Sequence, residues 1–219
     1  MSEFMDIIQN LDLSIFTHRI IPILIALTVH ELSHGLAAYA LGDNTAKDMG
    51  RLTLNPIKHI DPVGLFMMFV FRFGWAKPVP VNLYNFKNPK MGMALTAFAG
   101  PLSNFLLATL ILIFQVPLFQ ALEAGSVFAE IVFSTALISV FLGVFNLVPI
   151  PPLDGSKMLI SVLPNRYYWN VLQYERYGVF LLLALVFFGV LTEPLFVLLG
   201  GTFQFITELT EGISEFFFL

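Results

Sequence analysis

The sequence predicts an all-α polytopic membrane protein with about four transmembrane helices. To these it adds a re-entrant or interfacial segment, a short β-hairpin-like edge strand and a C-terminal amphipathic helix. Three observations predict this class. The 219 residues are 57% hydrophobic and only 12% charged, whereas an ordinary soluble domain is about one quarter charged. Mean hydropathy is +0.81. The apolar residues also gather into runs of about 20, the length that crosses about 30 Å of hydrocarbon at about 1.5 Å per residue.

Four runs are long enough to span. They are Ile20 to Leu41, Met91 to Val116, Val127 to Val148 and Tyr177 to Leu199, the last with Glu193-Pro194 near its far end. A fifth, Pro62 to Phe73, is too short to cross comfortably and contains Arg72, so it reads as re-entrant or interfacial. Between Gly74 and Phe86, Val79, Val81 and Leu83 alternate with proline or polar residues. Prolines confine such a strand to a sheet edge. The tail from Phe203 to Leu219 reads as an amphipathic helix lying in the interface, with a further short span as the alternative. No repeat, linker or long polar segment divides the chain, so residues 1–219 are expected to form one membrane-embedded domain. The N-terminus carries Glu3, Asp6 and Asp12 before its first arginine. It lacks the basic region of a removable signal peptide, so the first span is expected to serve as an uncleaved insertion signal.

Charge orients these spans. Lys47, Arg51, Lys58, Arg72, Lys77, Lys87 and Lys90 all lie between the first and second runs, and Lys157, Arg166 and Arg176 lie between the third and fourth. Basic residues concentrate in cytoplasmic loops. Both loops are therefore expected on the cytoplasmic side of the cell membrane, with the termini, Glu123, Glu208, Glu211 and Glu215 opposite. A net charge of -4 provides no basic surface for nucleic acid. There is no cysteine, so any metal must be held by nitrogen and oxygen ligands. Oligomeric state is not legible.

The first run contains "VHELSHG", which puts His30, Glu31 and His34 inside a membrane helix. An ionisable group near the bilayer centre costs roughly 2.5–3.5 kcal/mol on insertion scales, so three need a compensating partner. In H-E-x-x-H the two histidines stack on one helix face and their imidazoles can grip one ion. The glutamate lies about 100° around the helix, within reach of a metal-bound water. With 4 histidines and 9 glutamates in the chain, chance gives only about 0.003 such motifs. The competing reading is a hydrogen-bonded polar cluster between helices.

A catalytic zinc needs a third protein ligand and an open position. Without cysteine the candidates are Asp, Glu or His elsewhere. One is Asp154, in "NLVPIPPLDG", Asn146 to Gly155, where Pro149, Pro151 and Pro152 forbid helix and are expected to hold the chain extended. Taken alone, Asp154 is better read as the cap of a helix starting at Gly155. That reading weakens once a metal on the first run lacks a ligand. His59 has no partner at metal spacing and is expected to have a surface or supporting role. His18 is given no role.

"HELSH", "GPLSN" (Gly100 to Asn104) and "NLVPIPPLDG" resemble, in order and spacing, the site-2 protease family of intramembrane zinc metalloproteases, in its short bacterial branch. The resemblance runs from about Ile20 to Pro164. It implies that His30, His34 and Asp154 ligate one Zn2+ and that Glu31 activates the attacking water. It places Asn146 beside the site, where its amide could hold a substrate carbonyl or the developing oxyanion; an interhelical hydrogen bond is the equal alternative. It makes Gly100 and Asn104 a packing motif, in keeping with the small-residue face Ala97, Gly100, Pro101 and Asn104. The expected function is endoproteolysis in or next to transmembrane segments of membrane-protein substrates within the lipid bilayer. The Gly74–Phe86 strand could pair with unwound substrate, with a membrane-surface loop at least as good a reading of the same residues. The rival is a metal-ion transporter using His30, Glu31 and His34 as a transit site; against it, the sequence has no second set of intramembrane ligands and no inverted repeat.

Overall fold

A computed structural model describes residues 19–71, 74–115 and 126–218. The expectations for Glu3, Asp6, Asp12, His18, Arg72, Val116 and Glu123 lie outside the described residues. The described chain is mostly helical. Its helices are α1 (Ile21–Ala40), α2 (Thr45–Asp48), α3 (Pro62–Phe71), α4 (Pro89–Ile113), α5 (Val127–Leu147), α6 (Asp154–Ser161), α7 (Asn165–Phe187) and α8 (Thr192–Phe218).

Helices α1, α4 and α5 are each long and apolar enough to cross a membrane. Local signals set their ends. Asn88 caps α4 by accepting from the Met91 N–H, and Ser126 caps α5 by accepting from the Ala129 N–H. Helix α1 stops at Gly42, whose φ of 105° is open to glycine at little cost. There the Asp43 N–H reaches back to the Ala38 carbonyl, the Schellman closure of a helix.

Helix α4 is the centre of the bundle and packs on α1, α5, α6 and α8. Its sequence shows why. Gly92, Thr96, Gly100, Asn104, Ala108 and Leu112 recur every fourth residue and are all buried, while Leu95, Leu102, Leu106 and Leu110 face outward. A helix with small and polar residues inward and leucines outward suits lipid, where close backbone approach replaces hydrophobic burial as the packing force. Lower down, Ala108, Leu112, Ala136, Val140, Val144 and Ile206 form the apolar core joining α4, α5 and α8.

Three expectations are met only in part. The fourth span, Tyr177 to Leu199, is not one straight helix: α7 ends at Phe187 and the chain turns by 87° into α8. Gly189, at φ 72°, closes α7 with the Val190 N–H on the Leu185 carbonyl. Only taken together do Tyr177–Phe187 and Thr192–Phe216 qualify as a span. The tail is helical, but it continues unbroken from Thr192, with Ile206, Thr210 and Ser214 buried along one stripe. It is therefore the second part of one longer helix rather than a helix of its own. The edge strand shrinks to an isolated antiparallel bridge between Ile60 and Ala76, with the Lys77 N–H on the His59 carbonyl. Pro78 and Pro80 lack the N–H groups a longer ladder would need. The short α3 keeps the length expected of a segment that does not span: ten residues, about 15 Å.

Candidate metal centre

Helix α1 carries His30 and His34 on the face turned to α4, and both are buried. Each imidazole meets a group of α4 through Nδ1. His34 Nδ1 lies 2.7 Å from the Thr96 carbonyl oxygen and His30 Nδ1 lies 3.2 Å from Asn104 Nδ2. Gly100, between them, leaves the space both rings occupy. A Cβ on it would stand 2.4 Å from His34 Cε1 and 2.6 Å from His30 Cε1. The small-residue face expected of this helix is thus the wall of the histidine site.

Asp154 arrives from the other direction, as the first residue of α6. The prolines before it deny helix, as expected, but the stretch is folded rather than extended. The Leu153 N–H closes a turn on the Ile150 carbonyl. Gly155 permits the return, because a Cβ there would lie 2.2 Å from the Leu147 carbonyl oxygen. The Asp154 carboxylate does not cap α6; the N-cap is Leu153, with no side-chain cap bond. Instead Asp154 Oδ2 lies 3.1 Å from both His30 Nε2 and His34 Nε2, which are themselves 2.9 Å apart. Lys157 Nζ stands 3.5 Å from the other oxygen, Oδ1, and 3.9 Å from Glu175 on α7.

The donor set fits a cation. The Thr96 carbonyl can only accept, so the His34 proton sits on Nδ1 and Nε2 turns a lone pair inward. That lone pair faces a carboxylate oxygen and a second imidazole nitrogen. A single proton could serve only one of these pairs, whereas a metal ion serves all three. Zinc bonds to imidazole and carboxylate at about 2.0–2.2 Å, which in a tetrahedron separates ligand atoms by about 3.3 Å. The observed triangle needs only slight expansion. Among the described residues this is the one group of His, Asp or Glu side chains close enough to hold a metal. The second ligand set that a metal-transit pathway needs does not occur among them.

Glu31 is half-buried, one residue on from His30. Its Oε2 accepts from the Val79 N–H at 2.8 Å, and Oε1 has no hydrogen bond among the described residues. The segment that supplies Val79 is pinned by Arg51 Nη2 on the Lys77 carbonyl at 2.8 Å. Asn146 donates to the Leu142 carbonyl one turn back in α5, at 3.0 Å. No described hydrogen bond joins it to the histidines. His59 is not at the surface: it is 2% exposed and bonds through Nε2 to the Thr53 carbonyl. Sequence reasoning missed Thr96 and Lys157. The four-residue period from Gly92 to Ala108 was the available signal for Thr96; Lys157 stands three residues after Asp154, one helical turn on.

Two imidazoles and a carboxylate, with a glutamate beside them among membrane-length helices, define a membrane-embedded metallohydrolase class. The profile of peptidase family M50 matches residues 119–191, a stretch that contains Asn146 to Gly155. The chain is 40% identical over 178 residues to "Putative zinc metalloprotease YwhC" of Bacillus subtilis, covering 79% of this chain and 81% of that one. It is 28% identical over 201 residues to "Putative zinc metalloprotease Rip2" of Mycolicibacterium smegmatis, covering 88% and 73%. The Rip2 of Mycobacterium tuberculosis H37Rv is 34% identical over 145 residues, covering 62% and 53%. No solved structure matches the chain. This chain belongs to peptidase family M50, the site-2 protease family, and is a metalloprotease.

Proposed function

We propose that this protein is an intramembrane zinc endopeptidase that hydrolyses peptide bonds in or next to transmembrane segments of other membrane proteins, the step that regulated intramembrane proteolysis requires. His30, His34 and Asp154 hold one zinc ion. The observation that carries this reading is the convergence of His30 Nε2, His34 Nε2 and Asp154 Oδ2 within 3.1 Å of one another, with Glu31 adjacent.

Bound zinc supplies Lewis acidity and brings a water's pKa toward about 7. Glu31 is the general base. Its Oε2 stays on the Val79 N–H, which fixes the carboxylate plane, and Oε1 takes the proton from the attacking water and passes it to the leaving nitrogen. The Asn146 amide turns from the Leu142 carbonyl toward the substrate carbonyl oxygen. The proline-flanked stretch at Val79 lies beside the base and receives substrate in extended form, because a helical peptide bond is shielded by its own hydrogen bonds. The basic loops around Lys47, Lys77 and Lys157 support a multi-pass protein of the cell membrane with its site toward the cytoplasmic side.

The test uses wild type and Glu31→Gln purified in detergent and incubated with a tagged single-span substrate. Glutamine still accepts from Val79 but cannot take a proton. Cleavage should fall by about 10²–10⁴-fold with zinc content unchanged. Cleavage at the wild-type rate in Glu31→Gln contradicts the assignment of the base.

A further inference from the structure

We propose that Asn104 is the positioning residue for His30: in the metal-loaded site its side-chain oxygen accepts a hydrogen bond from His30 Nδ1–H and thereby turns the Nε2 lone pair toward Asp154. This rests on the metal-site reading above.

The two histidines are held unequally. Nδ1 of His34 faces the Thr96 backbone carbonyl, an acceptor whose identity no side-chain rotation can change, so the neutral His34 ring keeps its Nε2 lone pair for an ion. His30 has no such fixed partner. Its Nδ1 lies 3.2 Å from Asn104 Nδ2, and turning that amide over would present the oxygen there instead. If the N–H faces His30, the imidazole proton moves to Nε2 and points into the triangle, leaving two ligands where three are needed. If the oxygen faces His30, the proton stays on Nδ1 and the triangle keeps all three lone pairs.

Asn104 is built for this choice. It is 0% exposed, so bulk water does not compete for Nδ1. Its amide makes no other hydrogen bond among the described residues, since Oδ1 is buried without a partner and Nδ2 meets only His30. Turning the amide over therefore breaks no other contact. Asn104 also sits two helical turns from Thr96 on the same face of α4, with Gly100 between, so one helix face supplies both outer contacts and the space for both rings. The residue that sequence reasoning assigned to packing acquires a chemical task.

The experiment measures zinc affinity by chelator competition on full-length protein in detergent, with fold followed by circular dichroism. The variants are Asn104→Leu, which removes the acceptor at similar volume, and Asn104→Ala, which removes it without added bulk. Both should bind zinc about 10–100-fold more weakly than wild type, the usual cost of losing such an outer contact. An ionised Asn104→Asp side chain can only accept, and the variant should stay within about threefold of wild type. The proposal is overturned if Asn104→Asp loses zinc or fails to fold, or if either acceptor-free variant binds like wild type. Wild-type protein that binds no stoichiometric zinc would sink the metal-site reading itself, and with it this inference.

Discussion

A methyl group on Gly100 would stand 2.4 Å from Cε1 of His34, so the backbone of α4 and the imidazole on α1 are in contact with nothing between them. Real Cβ atoms do not approach so closely, and here the neighbour is a ring fixed by Thr96 on one side and Asp154 on the other. Gly100→Ala should therefore push α4 away from the site. We expect a loss of about 1–3 kcal/mol of stability and a fall of at least about tenfold in zinc affinity, read by thermal unfolding and chelator competition.

Asp43 should make stability depend on acid pH. It is fully buried, yet its carboxylate accepts from the Thr45 N–H at 3.0 Å, the Asn82 N–H at 2.7 Å and Asn85 Nδ2 at 2.7 Å. Burial alone would raise its pKa; the bonds from Thr45, Asn82 and Asn85 outweigh burial and hold it below the usual carboxylate value. The unfolded group titrates near about 3.9. A lowered folded pKa means that the stabilisation is complete above that value and is lost as pH falls through the folded one. The gap in unfolding midpoint between wild type and Asp43→Asn should be constant above about pH 5 and close below about pH 4. A gap that widened on acidification would contradict the assignment.

Zinc removal should cost stability as well as activity, because the apo site leaves inward lone pairs facing a carboxylate. At a free zinc concentration 100-fold above the dissociation constant, the ion should contribute about 2.7 kcal/mol. For a chain of this size that corresponds to about 5–10 °C in unfolding midpoint. His34→Ala should show little response to either chelator or added zinc in the same assay.

Much of this architecture was legible in the sequence, for identifiable reasons. The spacing of His30 and His34 specifies a helix face, and the Asn146–Gly155 element resembles a family motif, so both halves of the site could be named before any fold was known. The break at Gly189 was signalled by a glycine followed by Pro194, but the apolar composition on both sides hid it, because hydropathy carries no information about direction. The loss of the edge strand was written in Pro78 and Pro80. By contrast, the bond from the Val79 N–H to Glu31 joins segments 48 residues apart through a backbone group that every sequence offers. No residue type advertises it. The Thr96 carbonyl is hidden for the same reason, and Asn104 looks like packing until the imidazole beside it is seen.

The central claim is that α1 and α6 each bring ligands to one zinc ion that makes the protein a peptidase. The most direct test measures zinc content and single-span substrate cleavage in wild type and Asp154→Ala, purified side by side. The account predicts one zinc per wild-type chain, with both zinc and cleavage lost in the variant while the helical content stays. Stoichiometric zinc and undiminished cleavage in Asp154→Ala would contradict it.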